Sequence, residues 1–333
     1  MSETRFADIG KVEAIARLFA DTPYKPFENF IYESRFKGVF TAAASSLLLE
    51  GIDFDLVYFP LKHLGYKSVL SVTGELYASL AHPVVLSVKL GVSAKLDFDQ
   101  ICELWSGIVA AAREHGYSKL SLDLQPSKNG LAIAVSATGE IAALTQKRKP
   151  AMHTKDLICV SGSLGAAYMG LQVLERGKQD FAKAKEDIGK YKMLVGSYLR
   201  PELSTGVVDA FEDDEIYPSG GYFVRQGLAD TVKKIARDSG LGAKIYADKI
   251  PFEGNTFALG KEMNVDPVSA AMNGGDDYRL LFTVPILSLE KFRKDFQTFD
   301  IIGHLALSEV GTVMVTPDGL EMPLRAQGWA EED

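Results

Sequence analysis

Ser45-Ser46-Leu47-Leu48-Leu49-Glu50-Gly51-Ile52-Asp53-Phe54-Asp55-Leu56, followed by Pro60-Leu61-Lys62-His63-Leu64-Gly65-Tyr66-Lys67-Ser68 and the run from Val69 to Pro83, decides how this chain is read. The pattern predicts strand, turn, strand and helix. Gly51 after Glu50 suits a turn that needs positive φ. Ile52, Phe54 and Leu56 alternate with Asp53 and Asp55, the period of a half-buried strand. Pro60 is placed to open the next helix, where its missing N–H costs nothing. That helix carries Glu75, expected near its middle. Glu50 and Glu75 are therefore expected at one end of a sheet, as candidates for binding a divalent metal or a phosphate.

Outward from this stretch, composition sets the class. The 333 residues are too many for one ordinary core, so two domains are expected. Hydrophobic content of 47% and charged content of 24% are those of a globular protein. A net charge of −8 argues against a general nucleic-acid binder, which shows a basic face. Nucleotide binding through a bridging cation stays open. Met1-Ser2-Glu3-Thr4-Arg5 lacks the pattern of a secretory signal, and no apolar run approaches the ~20 residues needed to cross a bilayer. Cys102 and Cys159 sit in apolar surroundings, on an expected helix and strand, and read as buried free thiols. A cytoplasmic protein with no membrane and no nucleic-acid partner is the expectation.

In chain order, Ile9, Val12, Ile15, Ala16 and Phe19 predict an amphipathic helix, and Asp21 to Arg35 reads as turn. Val84 to Leu90 predicts a strand. Asp97 and Gln100 have capping-box spacing for a helix that ends at Gly116. Lys119 to Leu124 and Leu131 to Ala137 predict two strands, with Asp123 near the end of the first. Helices on one face of a sheet follow, an α+β arrangement. At Lys147-Arg148-Lys149-Pro150 the composition shifts and a domain boundary is placed. The basic run reads as a solvated linker.

Asp156 to Leu171 then reads as strand, glycine turn and helix. Gly162 and Gly165 lack the spacing of a dinucleotide fingerprint, and no P-loop occurs in the chain. The turn is read as structural, with an anion at the helix N-terminus as the other reading. Phe181 to Leu199 is helical. Phe211-Glu212-Asp213-Asp214-Glu215 is read as an exposed acidic loop, and Val224 to Ser239 as a helix behind Gly220 and Gly221. Asn273-Gly274-Gly275-Asp276-Asp277-Tyr278-Arg279-Leu280-Leu281-Phe282 puts two glycines and two acids before an apolar strand. Its backbone can approach a ligand at Gly274 and Gly275, or it is an acidic turn that caps the strand. His63, His82, His115, His153 and His304 lack metal-ligand spacing and are read as packed or solvated side chains.

These motifs carry a resemblance. Glu50-Gly51-Ile52-Asp53-Phe54 with Leu64-Gly65-Tyr66-Lys67-Ser68 is similar to the Asp-x-x-x-Glu-Gly-x-His-Phe … Gly-Tyr-Lys-Ala … Asn-x-Ser-Asp core of thiamine-monophosphate kinases, relatives of aminoimidazole ribonucleotide synthetase. Gly274 to Phe282 resembles that family's Gly-Gly-Glu-Asp-Tyr-Glu-Leu-Leu-Phe, and the likeness runs from about residue 39 to 329. In this register the first Asp falls on Ser46, the His on Asp53, the Asn on Val72 and the last Asp on Glu75. Asp123 matches a Gly-Gly-Asp phosphate and metal motif whose glycines are Ser121 and Leu122. Lys149 takes the Arg of an Arg-x-Gly-Ala element that approaches ligand phosphate. Two Asp of an Asp-x-Ser-Asp-Gly-Leu element are Phe223 and Gln226. A neighbouring pair of metal carboxylates has only Glu28 in its place.

The resemblance implies a two-domain α+β or α/β fold of the aminoimidazole ribonucleotide synthetase type. Residues 1–148 would be a dimerisation and nucleotide-side domain whose sheet pairs into a dimeric barrel, and 149–333 a second α/β domain. It implies a homodimer, ATP with Mg²⁺, and a small-molecule phosphate ligand, through Glu50, Gly51, Asp123, Lys149, Gly274 and Gly275. Metal ligands would be Glu75, Asp123, Asp276 and Asp277. The replaced acids point to an impaired or non-catalytic relative that binds nucleotide or thiamine phosphate. An active kinase making thiamine diphosphate, or another ATP-dependent synthetase, are the alternatives.

Overall fold

The computed structural model describes residues 17–24, 40–179 and 181–326. The expected helix from Ile9 falls within them only at its end, where residues 17–20 are helical, and Glu28 lies outside them. The chain divides into two compact units with the boundary after Gln146, Ala78–Leu80 being grouped with the second.

The amino-terminal unit holds β1 (Phe40–Leu49), α1 (Leu61–Ala78), β2 (His82–Ser93), α2 (Phe98–Glu114), β3 (Lys119–Ser127) and β4 (Ala132–Ile141). Its four-stranded sheet has the order β1-β4-β2-β3, with β3 parallel to β2 and the other pairs antiparallel. Register sorts the side chains. Leu48, Ile133, Leu90 and Leu124 form one row across the strands and are all buried. Ser46, Val135, Val88 and Leu122 form the next row on that face. The opposite face carries a row of four serines, Ser45, Ser136, Ser87 and Ser121, and then Leu47, Ala134, Lys89 and Asp123. Alternation at period two thus separates an apolar core face from a face of small and polar groups.

The two helices complete this core. Asp97 caps α2: its carboxylate accepts from the Gln100 amide at 2.8 Å, and the Gln100 side chain accepts from the Asp97 amide at 3.0 Å. Such a box is worth about 1 kcal/mol. Helix α1 is buried on most of its circumference, so its hydroxyls bond back to its own backbone: Ser68 to the Gly65 carbonyl, Ser71 to that of Ser68, and Thr73 to that of Val69. Gly65 and Gly107 sit where the helices meet, and a Cβ on either would overlap a backbone carbonyl oxygen of the other helix, that of Leu104 or Lys62.

The carboxyl-terminal unit is built on a seven-stranded sheet in the order β11-β10-β7-β9-β5-β8-β6. The strands are β5 (Leu157–Val160), β6 (Gly220–Val224), β7 (Gly242–Tyr246), β8 (Arg279–Val284), β9 (Asp300–Ala306), β10 (Thr312–Val315) and β11 (Glu321–Pro323). Helix α3 (Ala143–Arg148) spans the unit boundary. Then come α4 (Ala166–Gln179), α5 (Phe181–Lys190), α6 (Lys192–Leu199), α7 (Val207–Asp213), α8 (Leu228–Ser239), α9 (Thr256–Met263), α10 (Pro267–Asn273) and α11 (Leu289–Asp295). Ile158, Val160, Ile245, Leu281 and Ile302 from the strands pack with Leu164, Leu228, Val232 and Ile235 into one core.

Four expectations are corrected. Ile52 to Leu56 is a turn and not a strand: Gly51 has φ +83°, and the Asp53 carboxylate accepts from the Leu49 amide at 2.7 Å, folding the chain back. Phe211 to Asp213 ends helix α7, because Phe211 is fully buried with its ring 4.3 Å from that of Phe296. Gly220 to Val224 is a strand paired with β8, and the helix expected from Val224 begins at Leu228. Glu75 lies in the last turn of α1 and not near its middle. Cys159 is buried and free as expected; Cys102 is also free but only partly buried.

Candidate functional site

In the amino-terminal unit the expected ligand residues do not gather on one surface of the sheet. Asp123 lies on edge strand β3, half-buried, beside Lys89 in the register, and accepts from the Gln125 side chain at 3.3 Å. Ser46 belongs to the opposite face of edge strand β1, three strands away, a lateral separation of about 14 Å at normal strand spacing. The unit's own sheet therefore does not bring Ser46 and Asp123 to one ion. Val72, at the family's Asn, is fully buried in α1, so that position is core. Glu75 is exposed. Glu50 is engaged locally: its carboxylate accepts from the Leu131 amide at 2.6 Å, and its own amide donates to the Leu131 carbonyl at 3.0 Å. Gly51 supplies the positive-φ turn beside it, with its amide donating to Phe54 at 2.8 Å.

The carboxyl-terminal unit does bring its candidate residues together. Strands β5 and β6 each end in a glycine turn that leads to a helix, α4 and α8, and β8 starts between them. The Gly274–Tyr278 turn fits against the β6 turn, with the Asp276 amide donating to the Arg225 carbonyl at 2.6 Å. Gly275 has φ +77°, and a Cβ on Gly274 would overlap the Tyr168 side chain.

Asp277 is buried, and both of its oxygens are taken by backbone: Oδ2 accepts from the Gly165 amide at 2.9 Å and Oδ1 from the Ala167 amide at 3.3 Å. It caps α4 from 112 residues away in sequence. Burial pushes its pKa up to about 7, against the pull of those two amides and of Arg279. Phe223 is buried, its ring edge-on to Tyr278 at 5.3 Å. Gln226 is exposed, with the Lys234 ammonium 3.5 Å from its amide oxygen, and Lys234 pairs with Asp230 at 2.6 Å. Lys149 is exposed, yet enough protein surrounds its ammonium to lower its pKa by desolvation.

This donor set does not fit a cluster of divalent ions. Mg²⁺ takes hard oxygen ligands in near-octahedral geometry. Here the Asp277 oxygens accept from backbone, Phe223 turns an aromatic ring to Tyr278, and Gln226 offers a neutral amide with a lysine beside it. Sequence reasoning passed over Arg279, the first residue of β8, whose guanidinium lies against Gly162 and donates from Nε to the Ser163 carbonyl at 3.2 Å. The signal was there: the similar family motif has Glu at that position. The histidines described are packing groups where their partners are seen. His115 Nδ1 lies 2.9 Å from the Tyr77 hydroxyl and burial lowers its pKa, and His304 stacks on Tyr246.

No family profile matches the chain. Among curated proteins it is similar to the thiamine-monophosphate kinase of Aquifex aeolicus, 23% identical over 241 residues, 72% of this chain and 74% of that one. Among solved structures it is similar to AaThiL complexed with AMPPCP and TMP, with a TM-score of 0.72 at 20% identity, covering 97% of each chain. The hydrogenase maturation protein HypE of E. coli has a TM-score of 0.70 at 15% identity, covering 95% of this chain and 96% of that one. The fold is of the aminoimidazole ribonucleotide synthetase type, and in sequence the chain resembles the thiamine-monophosphate kinases over most of its length.

Proposed function

We propose that this protein is a thiamine-monophosphate kinase-like binder of nucleotide or thiamine phosphate with little or no phosphoryl transfer. Phosphoryl transfer depends on positioning and on neutralising charge, work that carboxylate-held Mg²⁺ performs in kinases. The observation that carries the proposal is Phe223, buried against Tyr278 where the resembled family has an aspartate. Gln226 at the second aspartate supports it, because a neutral amide is a weaker ligand for a hard cation. Glu75 and Asp123 in the amino-terminal unit and Asp276 in the carboxyl-terminal unit are, each within its own unit, the acids we propose as candidates for contact with an ion that accompanies ATP. On the ligand side we propose Glu50 and Gly51 within the amino-terminal unit and, separately, Lys149, Gly274 and Gly275 within the carboxyl-terminal unit, with Asp277 acting through the backbone at α4. Residues 1–148 form the dimerisation and nucleotide-side domain in this proposal, and 149–333 the second domain.

The expected result is no thiamine diphosphate formed at saturating Mg²⁺, ATP and thiamine monophosphate, together with a ligand-induced rise in melting temperature. Robust turnover would overturn the non-catalytic proposal in favour of an active kinase, which similarity to kinases over most of the chain favours as the second reading.

The proposal includes a cytoplasmic homodimer joined through the amino-terminal sheet. Strand β1 is a sheet edge of ten residues without charge or proline, and Phe40 and Leu47 on it are 50% and 54% exposed. Such edges associate unless covered. Light scattering is expected to give twice the chain mass of 36.3 kDa; a monomer at micromolar concentration would remove the dimer from the proposal. No helix among the described residues is long and apolar enough to cross a membrane.

A further inference from the structure

We propose that the turn leading into β8 holds a phosphate group through Arg279 directly, without a bridging divalent cation. This rests on the phosphate-ligand binding proposed above and gives it a mode of recognition. Arg279 faces Val224 in the β8–β6 register, and two residues on Leu281 faces Val160, so Arg279 stands where both β6 and β5 run out into their glycine turns. The guanidinium lies flat along one of those turns: a Cβ built on Gly162 would be 3.4 Å from its Cζ.

A guanidinium has five N–H donors. Among the described residues this one makes a single hydrogen bond, from Nε to the Ser163 carbonyl. Its remaining donors are left for water or a ligand, in a half-buried setting where an unsatisfied charged donor is costly. Asp277, Glu202 and Glu253 lie close enough to favour its charge, while burial opposes it, but none of the three accepts a hydrogen bond from it. Asp277 cannot readily turn to it, since its oxygens hold the Gly165 and Ala167 amides. The planar fork of an arginine matches phosphate oxygens in pairs.

The substitution gives the chemistry its direction. A glutamate, as in the similar Gly-Gly-Glu-Asp-Tyr-Glu-Leu-Leu-Phe motif, reaches a phosphate only through a cation. An arginine at that position reaches it unaided and repels the cation. The neighbouring β6 turn changes in the same sense, with Gln226 beside Lys234 where the motif has an acid. Charge reversal at one turn and charge loss at the next are what a change from cation-bridged to direct anion recognition requires.

The test is calorimetric titration of the full-length protein with inorganic pyrophosphate and with ATP, in excess Mg²⁺ and again in EDTA. The expected result is affinity in EDTA within about threefold of that in Mg²⁺, weakened about tenfold to a hundredfold by Arg279→Gln in both, as loss of a charged hydrogen-bonding group predicts. Arg279→Lys, which keeps the charge without the fork, should fall between, and it serves if the Gln variant fails to fold. Binding that appears only with Mg²⁺ overturns the direct mode and leaves phosphate binding standing. Wild-type affinity in a folded Arg279→Gln variant assigns Arg279 to charge balance with its three acids and overturns it as well. No binding of pyrophosphate or ATP in either buffer, together with no rise in melting temperature with thiamine monophosphate, removes both proposals together.

Discussion

Replacing Gly107 by alanine is expected to lower the stability of the amino-terminal unit by roughly 1–3 kcal/mol, the scale of overpacking in a well-filled core. The new Cβ would overlap the carbonyl oxygen of Lys62, with the Lys62 carbonyl carbon at 2.8 Å and the Tyr66 amide nitrogen at 3.0 Å. These are backbone atoms of α1, so no rotamer change relieves them; the helices must separate. Separation withdraws Leu64, Ile101, Leu104 and Ile108, all fully buried, from their contacts. Gly65→Ala presses on the same crossing from the other side, against the Leu104 carbonyl oxygen. Alanine is the better helix former by ~1 kcal/mol, which offsets only part of the loss. Gly196→Ala is the control: it lies inside α6 with nothing within 4 Å of a built Cβ, and the same substitution should be neutral or stabilising there. Urea denaturation followed by the fluorescence of Trp105, buried two residues from Gly107, measures the first effect. A Gly107→Ala variant as stable as the wild type would mean that the helices cross with more room than this geometry allows.

The same glycines show which parts of the molecule can be read from its sequence. Gly65 sits in the motif that carries the resemblance, and its need for close approach is written in its residue type. The Asp97–Gln100 box is local: its donors and acceptors lie three residues apart, so pattern and structure agree. Alternation misled at Ile52 to Leu56, because the Leu49 amide donates to the Asp53 carboxylate and converts an apparent strand into a turn. The acids at Glu212 to Asp214 hid a helix whose apolar side is Val207, Val208 and Phe211, spaced as one helical face and buried. Strand β6 is five residues with two leading glycines, too short and too glycine-rich for its pattern to outweigh the helix behind it. Around the candidate site, the glycine-and-acid turn was legible but its division of labour was not. The role of Asp277 depends on amides more than a hundred residues away, and that of Arg279 on the backbone of Gly162. No local pattern encodes either contact.

Asp277 gives the second large effect, and its sign follows from burial. Its folded-state pKa is raised from 3.8 to about 7. Between those values the folded chain keeps a proton that the unfolded chain has released, so stability falls as pH rises through this window and levels off above about 7. The full penalty is on the order of 4 kcal/mol. Asp277→Asn removes the titration. Its amide oxygen can still accept from Gly165, but its amide nitrogen then faces the Ala167 N–H, a donor against a donor. In acid, where the wild-type carboxyl is neutral, the variant should therefore be the less stable by about 1–2 kcal/mol. Toward pH 8 the wild type carries its buried charge and the variant does not, so the order of stabilities should reverse. Other carboxylates titrate alike in the two proteins and cancel in the difference. Parallel urea denaturation of both proteins at intervals from pH 4 to pH 8 measures that difference directly. A constant difference across the range would show that Asp277 is ionised throughout. In that case the two backbone amides and Arg279 outweigh desolvation, and the carboxylate is a fixed anionic cap of α4.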